Sequence, residues 1–210
     1  MGRASRLERW SPLGGLVWFV SYPIGFVLGT GEGETATEVI ERAESNEAGI
    51  GIVLLVVLLS PLLLGLFLAG LCARLRASGT EVESRLVLVG GTVFVALLFL
   101  ADTLVFAPLS ELPNHEGALQ SRVAETIPVL EDVSWWVQGG AGVGAALMIM
   151  SASIGVRRCG ALSGWTFWMS LLLGVVSLFT IAFVGVFAWL LWIGLASIWM
   201  LVRSRSWTTP

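Results

Sequence analysis

Charge is scarce in this 210-residue chain. Only 13% of its residues are Asp, Glu, Lys or Arg, about half the share of a soluble domain. With 56% hydrophobic residues and a mean hydropathy of +0.86, a water-soluble globule would expose apolar patches large enough to aggregate. The shortage excludes a soluble enzyme, a nucleic-acid binder and a disordered chain. Lysine is missing altogether, so all 12 basic residues are Arg, a usage that points to GC-rich coding and not to a mechanism. Cys72 and Cys159 are the only cysteines, so no disulfide framework is available. Both fall at expected cytoplasmic helix ends, where thiols stay reduced. His115 is the single imidazole. It reads first as a surface residue and second as a weak metal ligand beside Glu111 and Glu116, because no further His or Cys completes a ligand set. H-E-x-x-H, G-x-S-x-G and G-x-x-x-x-G-K-S/T are all absent. We therefore expect no enzyme, no cofactor and no bound metal.

What the chain has is apolar length. A helix needs about 20 apolar residues to cross the ~30 Å hydrocarbon layer. Apolar runs bounded by charge occupy 12–29, 49–71, 86–108 and 133–154, and Ser11-Pro12 supplies a helix start for the first. From 165 to 202 the chain runs 38 residues without a charge. One helix of that length would reach ~57 Å, nearly twice the bilayer core, and tilt does not absorb such a mismatch. The run therefore predicts two spans, 165–183 and 185–202, turning near 182–185 where Gly185 is the only marker.

Arg placement tests the count. Arg3, Arg6, Arg9, Arg74, Arg76, Arg85, Arg157, Arg158, Arg203 and Arg205 fall in alternate connections, leaving only Arg42 and Arg122 in the others. Basic residues accumulate in cytoplasmic segments, so six spans with both termini cytoplasmic satisfy the pattern. The expected outer loops, 30–48 and 109–132, hold the acids: Glu32, Glu34, Glu38, Glu41, Glu44 and Glu47 in the first, and Glu111, Glu116, Glu125, Glu131 and Asp132 in the second. Residues 37–48 have helical spacing, with Val39, Ile40 and Ala43 on one side, and predict a short helix lying at the outer surface. The Arg-rich start reads as an uncleaved signal-anchor, since no small-residue cleavage site follows it. Trp10, Trp207, Trp165, Trp168, Trp135, Trp136, Trp189 and Trp192 are placed for the interfacial aromatic belts, whereas Trp18 and Trp199 lie deeper and call for packing.

Asp102 is the only ionisable residue inside a predicted span. A charge in the membrane is costly and should face the bundle and find a partner. Tyr22 and Gln138 lie at a similar depth in spans one and four, so three polar groups from three helices can meet in one layer. This cluster is either a hydrogen-bonded register lock or a small polar cavity for a cation or small polar solute. Gly25 and Gly29, and Gly140 and Gly144, each form a Gly-x-x-x-Gly pair that allows close helix approach. Packing within one chain is the first reading of both pairs and a dimer face the second. Span four is the richest in small residues and should be the most central. Tyr22-Pro23 and Ser60-Pro61 should kink their helices.

The order of parts resembles the bacterial membrane proteins grouped as domain of unknown function 4386. The stretches that carry the resemblance are TATEVIERAESNEAGIGIVLL, LFLAGLCARLR and the C-terminal SIGVRRCGALSGWTFWMSLLLGVVSLF with FAWLLWIGLASIWMLVRSR. The resemblance implies six spans and brings no assigned activity, substrate or catalytic residue. Residues 1–210 therefore read as one all-α membrane domain in a bacterial plasma membrane, acting as a non-enzymatic structural or interaction module. The alternative is a small carrier or channel built on the Asp102 cluster. The lipid bilayer is the expected partner and nucleic acid is not. A homo-oligomer or a membrane-protein partner stays open.

Overall fold

The structure, a computed structural model, describes residues 6–29 and 35–203, with side chains for 10–24 and 35–202. Among the described residues every regular element is helical: α1 (Arg6–Gly29), α2 (Ala36–Ser45), α3 (Glu47–Ala77), α4 (Glu81–Glu111), α5 (Gly117–Arg158), α6 (Gly164–Ser177) and α7 (Val184–Arg203). Single 3-10 turns lie at Leu112–Asn114 and Thr180–Ala182. Among the described residues four stretches are long and apolar enough to cross a membrane: Glu47–Ala77, Glu81–Asn114, Gly117–Arg158 and Val184–Val202. The chain is thus an all-helical protein of membrane type. α6 is apolar but has only 14 residues, ~21 Å of helix.

Neighbouring helices run antiparallel, as their cross-contacts show. Trp18 of α1 meets Ser60 of α3, and the Ser84 hydroxyl of α4 donates to the Cys72 carbonyl of α3 at 3.1 Å. Glu83 of α4 pairs with Arg158 of α5. Ser153 of α5 bonds Ser170 of α6, and Ser170 accepts from the Trp192 indole of α7 at 2.6 Å. The ends bearing Arg74, Arg76, Arg85, Arg157 and Arg158 therefore gather at one end of the bundle. α4 and α5 approach most closely at glycines. A Cβ on Gly144 would lie 2.5 Å from the Phe94 nitrogen and 2.8 Å from the Gly90 carbonyl oxygen, and one on Gly140 would lie 3.1 Å from Leu97 Cδ1. The second Gly-x-x-x-Gly pair is thus spent on packing inside the chain. The surroundings of Gly25 and Gly29 lie outside the described residues.

α5 has 42 residues, ~63 Å or twice the hydrocarbon thickness. Its first turns, with the far ends of α3 and α4, extend into the acid-rich end. Most of the stretch expected as a loop over 109–132 is consequently helix, because Ala124 and Ile127 form a buried stripe and Pro128 is carried inside the helix. α2 begins on a capping box: the Thr35 N–H donates to Glu38 Oε2 at 3.1 Å and the Glu38 N–H to Thr35 Oγ1 at 3.4 Å. Its Val39 and Ala43 are buried against Ile50, Leu109, Leu112 and Ile127. The apolar face that suggested a surface helix is covered by protein.

Two further expectations change. The run from 165 to 202 does turn, but α6 already ends at Ser177, and the left-handed residue is Phe183 (φ 66°) rather than Gly185. A non-glycine residue there costs about 1–2 kcal/mol. Gly185 serves close approach instead, since its Cβ would lie 2.6 Å from Thr180 Cα. Trp189 and Trp192, placed in a belt by sequence, are buried. α7 enters the bundle centre, and Trp189, Ile193, Ser197 and Met200 form a fully buried stripe at helical spacing. Trp10, Trp136, Trp165 and Trp168 are exposed. Trp207 lies outside the described residues.

Candidate functional site

Helices α1, α3, α4, α5 and α7 build the centre of the bundle. Trp18 and Tyr22, four residues apart on α1, share one face. α4 contributes Phe94, Leu98, Ala101 and Asp102, α5 contributes Gln138, Ala141 and Ala145, and α7 contributes Trp189 and Ile193, all buried. The aromatic rings close against one another. Trp18 lies 4.9 Å from Tyr22 and 5.6 Å from Trp189 between centroids, and Phe94 meets Trp189 edge-on at 5.2 Å, within the range of favourable aromatic pairs. The Trp18 indole N–H donates to Ser60 Oγ at 3.0 Å, and Ser60 donates to the Val56 carbonyl at 2.8 Å. Ser60 thus turns the site before Pro61 into an anchor, and α3 continues through both residues.

Beside this aromatic cluster lies the polar layer. The Tyr22 hydroxyl donates to Asp102 Oδ1 at 3.2 Å, and Gln138 Nε2 donates to the Tyr22 oxygen at 3.5 Å. Each of the three residues is no more than 5% exposed. The sequence places them at one depth, and the structure brings them into one chain of hydrogen bonds running from α5 through α1 to α4. Asp102 Oδ2 is buried and finds no hydrogen-bond partner among the described residues. A buried carboxylate oxygen left alone is costly, so this atom is where a proton, a water or a small donor would be held. Trp189 Nε1 and Ser197 Oγ are likewise buried without partners among the described residues.

Sequence reasoning missed the aromatic cluster that closes the layer, and the Trp189–Ile193–Ser197–Met200 spacing was the signal that could have found it. It also missed the Ser153–Ser170–Trp192 bonds between α5, α6 and α7, for which isolated serines in apolar runs give no signal. Cys72 and Cys159 are free, and the Cys72 thiol donates to the Ser84 carbonyl at 3.4 Å. Around His115, Asn114 Nδ2 donates to Glu111 Oε2 at 3.2 Å. Among the described residues no three His, Cys, Asp or Glu side chains gather as a metal site.

Fold and site together define a helical membrane-type protein with a polar layer enclosed in its core. Neither a protein-family model, nor a curated protein, nor a solved structure matches the chain.

Proposed function

We propose that this chain is a six-span bacterial inner-membrane protein with both termini cytoplasmic, acting without catalysis through lipid and protein contacts, and held in register by Asp102. The observation that carries this reading is the Tyr22–Asp102–Gln138 chain, whose polar groups are spent largely on one another inside an aromatic core. Membrane helices gain little from the hydrophobic effect between themselves, so buried polar pairs and close packing fix their register. Ten Arg in alternate connections support the six spans and the orientation. The quoted C-terminal stretches support kinship with the domain of unknown function 4386 proteins.

Asp102→Asn tests the role of the polar layer, because the amide keeps an acceptor for Tyr22 and places a donor where Oδ2 stands. On this reading the variant accumulates normally and unfolds in detergent within about 1 kcal/mol of the parent, the scale of one intramembrane hydrogen bond. Cysteine labelling from outside the cell should reach 30–48 and 109–132 and miss 78–80.

The unpartnered Asp102 Oδ2 favours a second reading, a small carrier or channel for a cation or small polar solute. Proteoliposomes separate the two. A proton or sodium flux that Asp102→Asn abolishes makes the chain a carrier, and no flux in either form leaves Asp102 a register lock.

A further inference from the structure

α6 and α7 part toward the Arg-rich end and leave a cleft of about 580 Å³, within the ~300–1,000 Å³ typical of ligand sites. Its walls are almost wholly apolar and include Leu71, Val156, Leu162, Trp165, Trp199 and Val202. Deeper, the Ser153–Ser170–Trp192 bonds tie α5, α6 and α7 together along one wall. Trp165 is 75% exposed at the lip, the position in which an indole sits at a lipid headgroup.

From Val133 onward the chain carries charge of one sign. No Asp or Glu occurs from Val133 to Pro210, while Arg157, Arg158, Arg203 and Arg205 all do. Arg158 is taken by Glu83 across the bundle. Arg157 is exposed and sits at the lip itself, its Nη1 donating to the Leu162 carbonyl at 2.7 Å. That bond uses one of its five N–H donors. Val202, which lines the cleft, is followed directly by Arg203 at the end of α7.

We infer that the α6–α7 cleft holds one acyl chain of an anionic phospholipid, with the phosphate headgroup at Arg157. An apolar trough calls for an acyl chain, and the exposed Arg157 guanidinium at its lip calls for a negative headgroup. This inference rests on the membrane reading above and names the lipid partner that reading requires. A bound chain would also fill the space beside α6, the shortest of the large helices.

The test uses the full chain, purified in detergent and examined by native mass spectrometry with equimolar phosphatidylglycerol and phosphatidylcholine. The expected result is at least a threefold preference for phosphatidylglycerol, given that one Arg near an anionic headgroup is worth about fivefold. Arg157→Gln changes an exposed side chain, so the fold survives, and it should bring the preference close to parity. Ala196→Trp fills the cleft and should reduce retention of both lipids. Glycerol phosphate without acyl chains should not compete. Equal binding of the two lipids, or a preference untouched by both variants, overturns the site. A dimer formed without lipid and abolished by Ala196→Trp assigns the cleft to a second copy and also overturns it. Release of the chain from membranes by alkaline carbonate breaks the membrane reading itself, whereas a chain that stays embedded but shows no lipid preference breaks only the site.

Discussion

Around Trp18, Phe94 and Trp189 polar groups lie inside the cluster, and several bond to one another, as in Tyr22 with Asp102 and Trp18 with Ser60. Around Val39, Ile50, Leu109 and Ile127 the clustered residues are apolar, and charge lies at the margin, as in the mostly buried Arg42 with the partly exposed Glu131 at 3.1 Å. The first cluster is assembled from glycine contacts, aromatic rings and enclosed hydrogen bonds. The second is a small aliphatic core under an amphipathic helix, of the kind water drives together. Lipid supplies no hydrophobic drive between helices, and water supplies it in proportion to buried area. The two clusters thus differ in where their polar groups lie, enclosed in the first and marginal in the second.

The comparison breaks first at the glycines. Gly144→Leu should abolish the folded state, costing more than about 3 kcal/mol, because its Cβ meets backbone on both sides and overpacking there cannot relax. Loss of the monodisperse peak in detergent chromatography would show it, whereas a stable Gly144→Leu would mean that α4 and α5 do not touch there.

At the acid-rich end the effect should be local. Val39→Asp removes a fully buried Val worth about 1.5–3 kcal/mol and should undock α2. Hydrogen exchange over 36–45 would rise at least tenfold while the tryptophan emission of the central cluster stays fixed. If that emission shifts as well, the two clusters unfold as one.

Trp18→Phe and Ser60→Ala probe the enclosed hydrogen bonds of the first cluster. Each bond of this type contributes on the order of 1 kcal/mol in a membrane. The double variant should lose no more hydrogen-bond energy than the single ones, since both remove the same bond. A thermal unfolding series in one detergent measures this coupling. Thr35→Ala, which removes the capping box of α2, should be the smallest change at about 0.5 kcal/mol, visible as faster exchange in the first turn of α2 with an unchanged melting temperature.

Much of the site was legible in the sequence because it depended on depth. Asp102, Tyr22 and Gln138 are the polar residues at one level of three apolar runs, and a charge in such a run must turn inward. The Gly140–Gly144 pair was legible as a packing surface for the same kind of reason, since small residues at this spacing have few other uses in a span. The partner surface was not legible. Nothing in the sequence selects α4 over a second chain until Gly90 is seen opposite Gly144. Trp189 and Trp192 were misread because an interfacial position and a core position differ by helix rotation, which a hydropathy run does not carry. The outer stretch 109–132 was read as a loop because charge marks exposure to water and says nothing about whether the backbone is helical there.

Long apolar runs and scarce charge already make this a helical protein of membrane type, with a carboxylate at Asp102 that had to be enclosed. These follow from local composition and from the cost of charge in hydrocarbon. Only the packing of the helices sets α2 on protein, fills the centre with Trp189 of α7, leaves one Asp102 oxygen without a partner among the described residues, and parts α6 and α7 into a cleft beneath Arg157. Each of those depends on which helix faces which and at what rotation. Helices in lipid settle that by shape fit and by the few polar pairs they can close, and neither is written in any one segment of the chain.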